Sequence, residues 1–399
     1  MASVNGQTLG EVRVAPSAQR RIESGHLWVF SNEVVGRITD YEPGQLVVVT
    51  GQHGRKLGTG YVNPNTLIAA RLLTTAPGPI DAAFFRQRFE QALSWRERLY
   101  PGLRVVRLVH GEADGLSGLV VDRYEDHLAV QVLTAGMQAL QPLWLPVLEE
   151  MFRPQAVVGR NDTSFREYEN LPQEVTVLAG TPSETLVVEE FGVRYELNVM
   201  SGQKTGLFLD QKDNRLRMSP WVEGADVLDA FCYVGSWSLQ AALGGARSVL
   251  GIDSSEEALT RARRNAELNG VAERVSFEQE DVFQSFRRMV AEGRQFDLVI
   301  VDPPAFAKRR TQKKTAVSGY REINIQAMKL IRPGGVLATC SCSHHVSADD
   351  FRNILVQAAR GARRTLRLIE QRGAAMDHPV LLSMRETEYL KCLLLQVTR

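Results

Sequence analysis

Cysteine is scarce in this chain. Cys232, Cys340, Cys342 and Cys392 are four in 399 residues, all in the carboxyl-terminal half, which excludes a disulfide framework and suits a reducing cytosol. Net charge is almost absent, at +1, so any attraction to nucleic acid has to come from local basic patches. No apolar run approaches the ~20 residues needed to cross a bilayer. No signal-peptide pattern precedes the first expected strand, so a soluble, cytoplasmic protein is expected and a membrane is not among its partners. Length is ample: two or three domains, each with its own core.

The stretch Val227-Leu-Asp-Ala-Phe-Cys-Tyr-Val-Gly235 organises the rest. An apolar run meets an acidic residue, a small-residue bend and a glycine, the pattern of a strand feeding a tight turn. Ser236 to Leu243 reads as a helix stopped by Gly244-Gly245, and Arg247 to Asp253 as a second strand ending in a carboxylate. What the turn lacks is the set of three spaced glycines that lets a backbone close on a pyrophosphate, so a nucleoside without phosphates is favoured over a dinucleotide. Asp253, 24 residues beyond Asp229, is placed to accept ribose hydroxyls. Glu280-Asp281-Val282, after a third strand from Arg274 to Gln279, suits an adenine edge through the Asp281 carboxylate and the Val282 amide. S-adenosylmethionine is such a nucleoside. Phe231, Tyr233 and Gly235 in the turn, with Ser254, complete the expected contacts, and Lys204, Thr205, Phe208 and Asp210 border the methionine end. The bland alternative is a doubly wound sheet whose acidic strand ends are merely solvated.

Earlier in the chain, short strands at Leu9–Val14, Leu27–Phe30, Gln45–Thr50, Leu57–Tyr61 and Leu67–Leu73, with a helix over Pro16–Ser24, predict a small β-barrel. Arg13, Arg20, Arg21, Arg55, Lys56 and Arg71 would offer phosphate contacts on one of its faces. Pro77-Gly78-Pro79 marks a boundary. An amphipathic helix from Asp81 to Leu99, strands at 104–109, 119–123 and 128–133, a helix over Met137–Phe152 and strands at 156–158 and 175–178 then form a small α+β domain without a catalytic constellation. A hairpin at Thr185–Glu190 and Val193–Val199 opens the last domain, and a helix begins near Asp210. The expected division is 1–76, 77–183 and 184–399.

Phe296 to Val301 is a nearly unbroken apolar run, as in a central strand buried on both faces. It ends in Asp302-Pro-Pro-Ala-Phe306. Pro303 and Pro304 carry no amide donors, so their carbonyls and the Asp302 carboxylate face outward as acceptors, with Phe306 as a stacking surface; that suits the amine edge of a base. Lys308-Arg-Arg-Thr-Gln-Lys-Lys314 follows, five cations in seven residues, with Lys308, Arg309 and Arg310 nearest the motif and fit to neutralise phosphates. A helix over Ser318–Ile331, a turn at Pro333-Gly-Gly335 and a strand over Val336–Thr339 lead to Cys340-Ser-Cys-Ser-His-His345. Ser347-Ala-Asp-Asp350 then caps the next helix. Cys-x-Cys with adjacent histidines lacks the paired spacing of zinc modules, so no metal is expected. Of the two thiols, Cys340 continues the strand, whereas Cys342 lies in the loop with His344 or His345 and a helix amino end to favour its thiolate. A thiolate adding to carbon 6 is what carbon-5 methylation of a pyrimidine needs.

Lys204-Thr-Gly-Leu-Phe-Leu-Asp-Gln211, Asp302-Pro-Pro-Ala-Phe306, Ser341-Cys-Ser343 and Asp377-His-Pro-Val380 resemble the RlmI-type ribosomal RNA cytosine-5 methyltransferases over essentially the whole chain. The resemblance implies a PUA domain, a central α+β domain of the EEHEE kind and a Rossmann-like methyltransferase domain whose last strands form a hairpin. It also implies Cys342 as nucleophile and Asp229, Asp253 and Asp281 as cofactor contacts, with His344-His345 departing from the small or apolar pair of the family. Ribosomal RNA is the expected partner, and a homodimer is compatible with it. The competing readings are amino-group methylation of a purine, for which Asp-Pro-Pro-aromatic also serves, and a non-catalytic RNA-binding or assembly factor.

Overall fold

The computed structural model describes residues 3–4, 7–76, 78–202, 205–307 and 310–399; Pro77, Lys204, Lys308 and Arg309 lie outside them. Two units divide the chain. One runs through Leu186 and takes in Leu197–Leu209 and Asp377–Thr387; the other consists of Val187–Glu196, Asp210–Met376 and Glu388–Arg399.

In the first unit, β1 (Gly10–Val14), β2 (Trp28–Phe30), β3 (Val34–Val35), β4 (Leu46–Thr50), β5 (Lys56–Val62) and β6 (Ile68–Thr74) form a sheet in the order β2-β6-β5-β4-β1-β3. Helix α1 (Pro16–Glu23) has proline in its first turn, where the missing amide costs nothing, and buries Ala18 and Ile22 against Val12, Val47, Val49 and Leu72. The arginines expected to meet phosphates are partly engaged elsewhere. Arg21 bonds Glu33 (2.6 Å), Arg55 pairs with Glu23 (3.0 Å), and Arg71 lies over Trp28 between Glu112 (3.4 Å) and Glu169 (3.2 Å). Arg71 is therefore a structural cation.

The same unit holds β7 (Val105–His110), β8 (Leu119–Tyr124), β9 (His127–Val132), β10 (Ala156–Arg160) and β11 (Val175–Gly180), ordered β11-β10-β9-β8-β7. Helix α2 (Ala82–Leu99), capped by the Asp81 carboxylate on the Phe84 amide, buries Phe85, Phe89 and Ala92 as its periodicity predicts. It also buries Arg96, which the pattern cannot announce; Asp114 takes both ends of its guanidinium at 2.6 and 2.7 Å. The helix expected over Met137–Phe152 is two, α3 (Ala135–Ala139) and α4 (Gln141–Phe152). Pro142 has no amide to continue the ladder and starts a new helix instead. Thr205 is buried here, donating to Asp122 (2.5 Å), and the Leu207 amide donates to Tyr124 (3.1 Å). Asp377 belongs to this unit too: its carboxylate accepts the Arg107 amide (2.9 Å) and its carbonyl accepts from Arg96 (2.9 Å).

The second unit opens with a hairpin, β12 (Leu186–Glu190) and β13 (Val193–Leu197), turning through Phe191 and Gly192 at φ 50° and 80°. After α5 (Lys212–Leu216) come β14 (Asp226–Ala230), α6 (Ser236–Leu243), β15 (Ser248–Asp253), α7 (Glu256–Leu268), β16 (Val275–Gln279), α8 (Val282–Ala291), β17 (Phe296–Val301), α9 (Lys313–Lys329), β18 (Ile331–Ser341), α10 (Ala348–Ala362), β19 (Thr365–Arg372) and β20 (Lys391–Thr398). The sheet order is β16-β15-β14-β17-β18-β20-β19, parallel except for β20, which runs antiparallel between β18 and β19. One face packs on α8, α9 and α10 through Phe286, Ile323, Met328 and Phe351.

Two elements of the second unit start five residues before the sequence expectation, at Lys313 rather than Ser318 and at Ile331 rather than Val336. Helix α9 starts at Lys313 rather than Ser318, so part of the cationic run is helical, and Lys313 bonds Asp350 at 2.7 Å. Strand β18 starts at Ile331, and Pro333-Gly-Gly335 is a bulge within it: the register steps from Phe296 opposite Ile331 to Leu298 opposite Val336. Among the described residues no helix is long and apolar enough to cross a membrane.

Candidate active site

Strand order reverses beside β14, which has β15 on one side and β17 on the other; the crevice at the carboxyl ends of such strands is where doubly wound sheets bind ligands. The turn after β14 is strained. Phe231, Tyr233 and Gly235 all have positive φ, at 64°, 51° and 81°, a conformation that costs a bulky residue unless its surroundings impose it. Two bonds impose it: the Cys232 amide donates to the Ile252 carbonyl (3.0 Å) and the Tyr233 amide to the Asp253 carboxylate (3.0 Å). Gly235 takes its φ of 81° without strain, and a Cβ there would sit 3.0 Å from the Phe277 ring, which would have to shift to admit it.

The acidic strand ends differ in environment. Asp229 is fully buried, one oxygen accepting both the amide (3.0 Å) and the hydroxyl (2.6 Å) of Ser238, the other without a partner. Burial, then the nearby Asp302 and Asp253 charges, push its carboxyl up to about 7. Asp253 is half-buried and accepts from the Tyr233 and Ser255 amides, one on each oxygen, which leaves a lone pair on each. Ser254 beside it is exposed. Asp281 is exposed and caps α8 through the Gln284 amide (3.0 Å), and Val282 is buried as the first residue of that helix. Asp210 is buried and accepts from the Tyr389 hydroxyl (2.7 Å), while Phe208 belongs to the first unit.

Asp302 follows β17, where Val301 is opposite Ala230 on one side and Thr339 on the other. Its carboxylate is not simply turned outward: Gln211 donates to one oxygen (3.0 Å) and the Trp237 indole to the other (3.0 Å). Gln211 is itself oriented by Asn214 (2.7 Å), which accepts from Arg372 (2.9 Å). Pro303 is buried and Pro304 exposed. Phe306, expected as a free stacking face, is half-buried against Tyr320 (ring centroids 4.6 Å) and Phe283 (6.1 Å). Of the cations after it, Lys308 and Arg309 fall outside the described residues, and Arg310 opens a short 3-10 turn over Arg310–Gln312.

The two thiols of the loop part company. Cys340 is fully buried in β18, directly opposite Cys392 in β20, and burial lifts its thiol well above the usual range. Cys342 is half-exposed just past the end of β18, its Sγ 4.0 Å from the Pro303 carbonyl. Ser343 anchors the loop: its hydroxyl accepts the Ala307 amide (3.3 Å) and bonds the Tyr320 hydroxyl (3.0 Å), and its carbonyl accepts from the Lys391 ammonium (2.7 Å). The charge expected on His344 is not supported: burial, then Lys391 and His345, depress its ring, which leaves it neutral. Gln211, Trp237, Tyr320 and Lys391 were not singled out from the sequence. Gln211 alone carried a signal, as the last residue of the Lys-Thr-Gly-Leu-Phe-Leu-Asp-Gln motif.

A family model described as an S-adenosylmethionine-dependent methyltransferase matches residues 154–395, and one described as a PUA-like domain matches residues 12–75. The chain is 36% identical over 383 residues to the ribosomal RNA large subunit methyltransferase I of Cronobacter sakazakii, covering 95% of this chain and 97% of that one. It is 37% identical over 393 residues to the protein of the same name from Shewanella denitrificans, covering 97% and 99%. Among solved structures, a methyltransferase complexed with SAH superposes with a TM-score of 0.85 at 18% identity, covering 97% of this chain and 100% of that one. An S-adenosylmethionine-dependent methyltransferase from Streptococcus mutans gives 0.83 at the same identity and coverage.

Proposed function

From the premise that this chain belongs to the ribosomal RNA large subunit methyltransferase I family and uses S-adenosylmethionine, we propose that it methylates carbon 5 of a cytosine in large-subunit ribosomal RNA through a covalent bond to Cys342. The observation that carries this reading is the half-exposed Cys342 thiol held beside the Pro303 carbonyl at the end of β18.

The residues at the strand ends fit the cofactor. The unpartnered, buried Asp229 oxygen and a carboxyl lifted to about 7 by burial are what a cationic ligand group would relieve; the methionine ammonium supplies that charge. Asp253 would accept the ribose hydroxyls, with Phe231, Tyr233, Gly235 and Ser254 around them, and Asp281 with the Val282 amide would meet the adenine edge. Asp210 would border the methionine end. When bound, S-adenosylmethionine supplies an electrophilic methyl on a sulfonium.

The chain's own residues do the rest. Cys342 as thiolate adds to carbon 6, and the electrons of the 5,6 double bond make carbon 5 nucleophilic enough to take the methyl. A base then takes the carbon-5 proton, and the electrons of that bond restore the double bond as the carbon–sulfur bond breaks and releases the thiolate. Asp302, oriented by Gln211 and Trp237, would accept from the 4-amino group, with Pro303, Pro304 and Phe306 walling the base. The base has to be unpaired or flipped to reach it. Lys308, Arg309 and Arg310 would neutralise adjacent phosphates. In this reading 1–76 contacts RNA and 184–399 carries the chemistry. Incubation with labelled S-adenosylmethionine and unmodified ribosomal RNA, followed by nucleoside identification, is expected to yield 5-methylcytidine. A labelled amino-methylated purine would overturn the proposal.

A further inference from the structure

We propose that Lys391 is the charge partner of Cys342, a positioning residue whose buried ammonium both fixes the cysteine loop and stabilises the thiolate. The inference rests on the reading of Cys342 as nucleophile.

Lys391 is the first residue of β20 and lies directly opposite Ser341, the residue before Cys342. Its side chain runs inward, and the residue is 5% exposed. The ammonium donates to the Ser343 carbonyl (2.7 Å) and to the Tyr389 carbonyl (2.7 Å), so it clamps the backbone immediately after the thiol. Two neutral carbonyls are poor compensation for a buried cation, which ordinarily takes a carboxylate. Among the described residues Lys391 makes no ion pair with one.

The charged groups facing it rank in a telling order. Burial draws its pKa down to about 8; Cys342 is first among the groups that raise it again, ahead of Glu388 and Asp350. Asp350 is already committed to Lys313 at 2.7 Å. Among the described residues the other groups facing the thiol are poorer sources of positive charge than Lys391. His344 is held neutral by burial and in part by Lys391 itself. The Tyr320 phenol is pushed up by burial and stays protonated. Asp302 is a carboxylate and would repel a thiolate. The amino end of α10 is closed by its own capping box, Ser347 with Asp350, whose carboxylate opposes the helix dipole. When Cys342 loses its proton to solvent, the Lys391 ammonium becomes half of an ion pair.

Coupling of two charges is reciprocal, and that sets the experiment. In the full-length protein without RNA, iodoacetamide alkylation of Cys342 is followed by peptide mass spectrometry across pH. Lys391→Met should raise the midpoint of alkylation by about one pH unit, the low end for removal of a nearby opposite charge, while Lys391→Arg keeps most of the depression. Should Lys391→Met not fold, the converse is read in Cys342→Ala: the Lys391 ammonium, followed by NMR with 13C-labelled lysine, should titrate lower than in the wild type by a similar interval. A purely structural clamp would leave both midpoints unchanged, and that result overturns the inference. Neither readout involves methyl transfer, so a failed nucleoside assay with shifted midpoints would refute the proposed reaction and leave the pair intact.

Discussion

Asp229 accepts both the amide and the hydroxyl of Ser238 on a single carboxylate oxygen, at 3.0 and 2.6 Å, and keeps its other oxygen buried with no partner. The carboxyl is lifted from 3.8 to about 7, chiefly by burial, so folding at neutral pH works against its ionisation.

A pH dependence follows for the cofactor. Below about 7 the Asp229 carboxyl is protonated and neutral, and it cannot pair with an ammonium. Affinity for S-adenosylmethionine should therefore fall towards tenfold per unit below that pH, and decline again above about 8 as the cofactor's own α-ammonium loses its proton, with proton release on binding near neutrality. Calorimetry in buffers of different ionisation enthalpy measures both; a flat profile from pH 5.5 to 8 would remove Asp229 from the site.

The same group should limit apo stability. Because the folded-state pKa is raised above the unfolded value, the unfolded chain binds fewer protons between about 4 and 7 and stability falls as pH rises through that window. Asp229→Asn should thus raise the apo melting temperature at pH 8 while weakening cofactor binding, a trade of function against stability. Equal melting temperatures for the two proteins at pH 8 would count against it.

The cysteines should separate cleanly. Cys342→Ala is expected to abolish methyl transfer and to leave folding and cofactor binding intact, while Cys340→Ala, a small deletion in the core, keeps most activity. RNA bearing 5-fluorocytosine at the target should be trapped by the wild type and by Cys340→Ala only, because fluorine blocks the proton loss that frees the enzyme. Trapping that survives in Cys342→Ala and vanishes in Cys340→Ala would reverse the roles.

Arg215 and Glu190 form a buried pair, each 2% exposed at the side chain. Removing one partner leaves a buried charge, so Glu190→Leu should cost roughly 3–5 kcal/mol in urea unfolding. Adding Arg215→Met should restore most of that stability. An additive double mutant would mean the two charges are not coupled.

Replacing the cations from Lys308 to Lys314 with serine should flatten the salt dependence of RNA binding by about 0.7–0.9 in slope for each phosphate no longer neutralised. Lys313→Ser alone should change it least, since that ammonium is already held by Asp350. An unchanged slope in the full replacement would make the segment an ordinary solvated surface.

Local pattern carried the second unit's architecture far. The helix over Ser236–Leu243 and the strand over Phe296–Val301 stand where expected, because a period of 3.6 bounded by Gly235 and Gly244, or an unbroken apolar run, is written in consecutive residues. The capping box at Ser347 likewise separated loop from helix. Pattern failed where a residue's role depends on a distant neighbour. Arg96 lies on a helical face among apolar residues and is legible only once Asp114 is beside it. Phe306 looked free until Tyr320, on α9, packed against it.

The sequence by itself determined the order of strands and helices, the turn that needs Gly235 and the residue types that end each strand, since these follow from backbone conformation and short-range burial. Only the tertiary structure decided what those ends face. Gln211 and Trp237 reach Asp302 across 91 and 65 residues, and Lys391 reaches the Ser343 carbonyl across 48. Such bonds exist because β20 inserts antiparallel beside β18 and β17 lies beside β14, and no one-dimensional pattern encodes which strands become neighbours. Electrostatics followed the same division: carboxylates and cations could be counted in the chain, but which groups burial would neutralise, as at His344, was a property of the folded molecule.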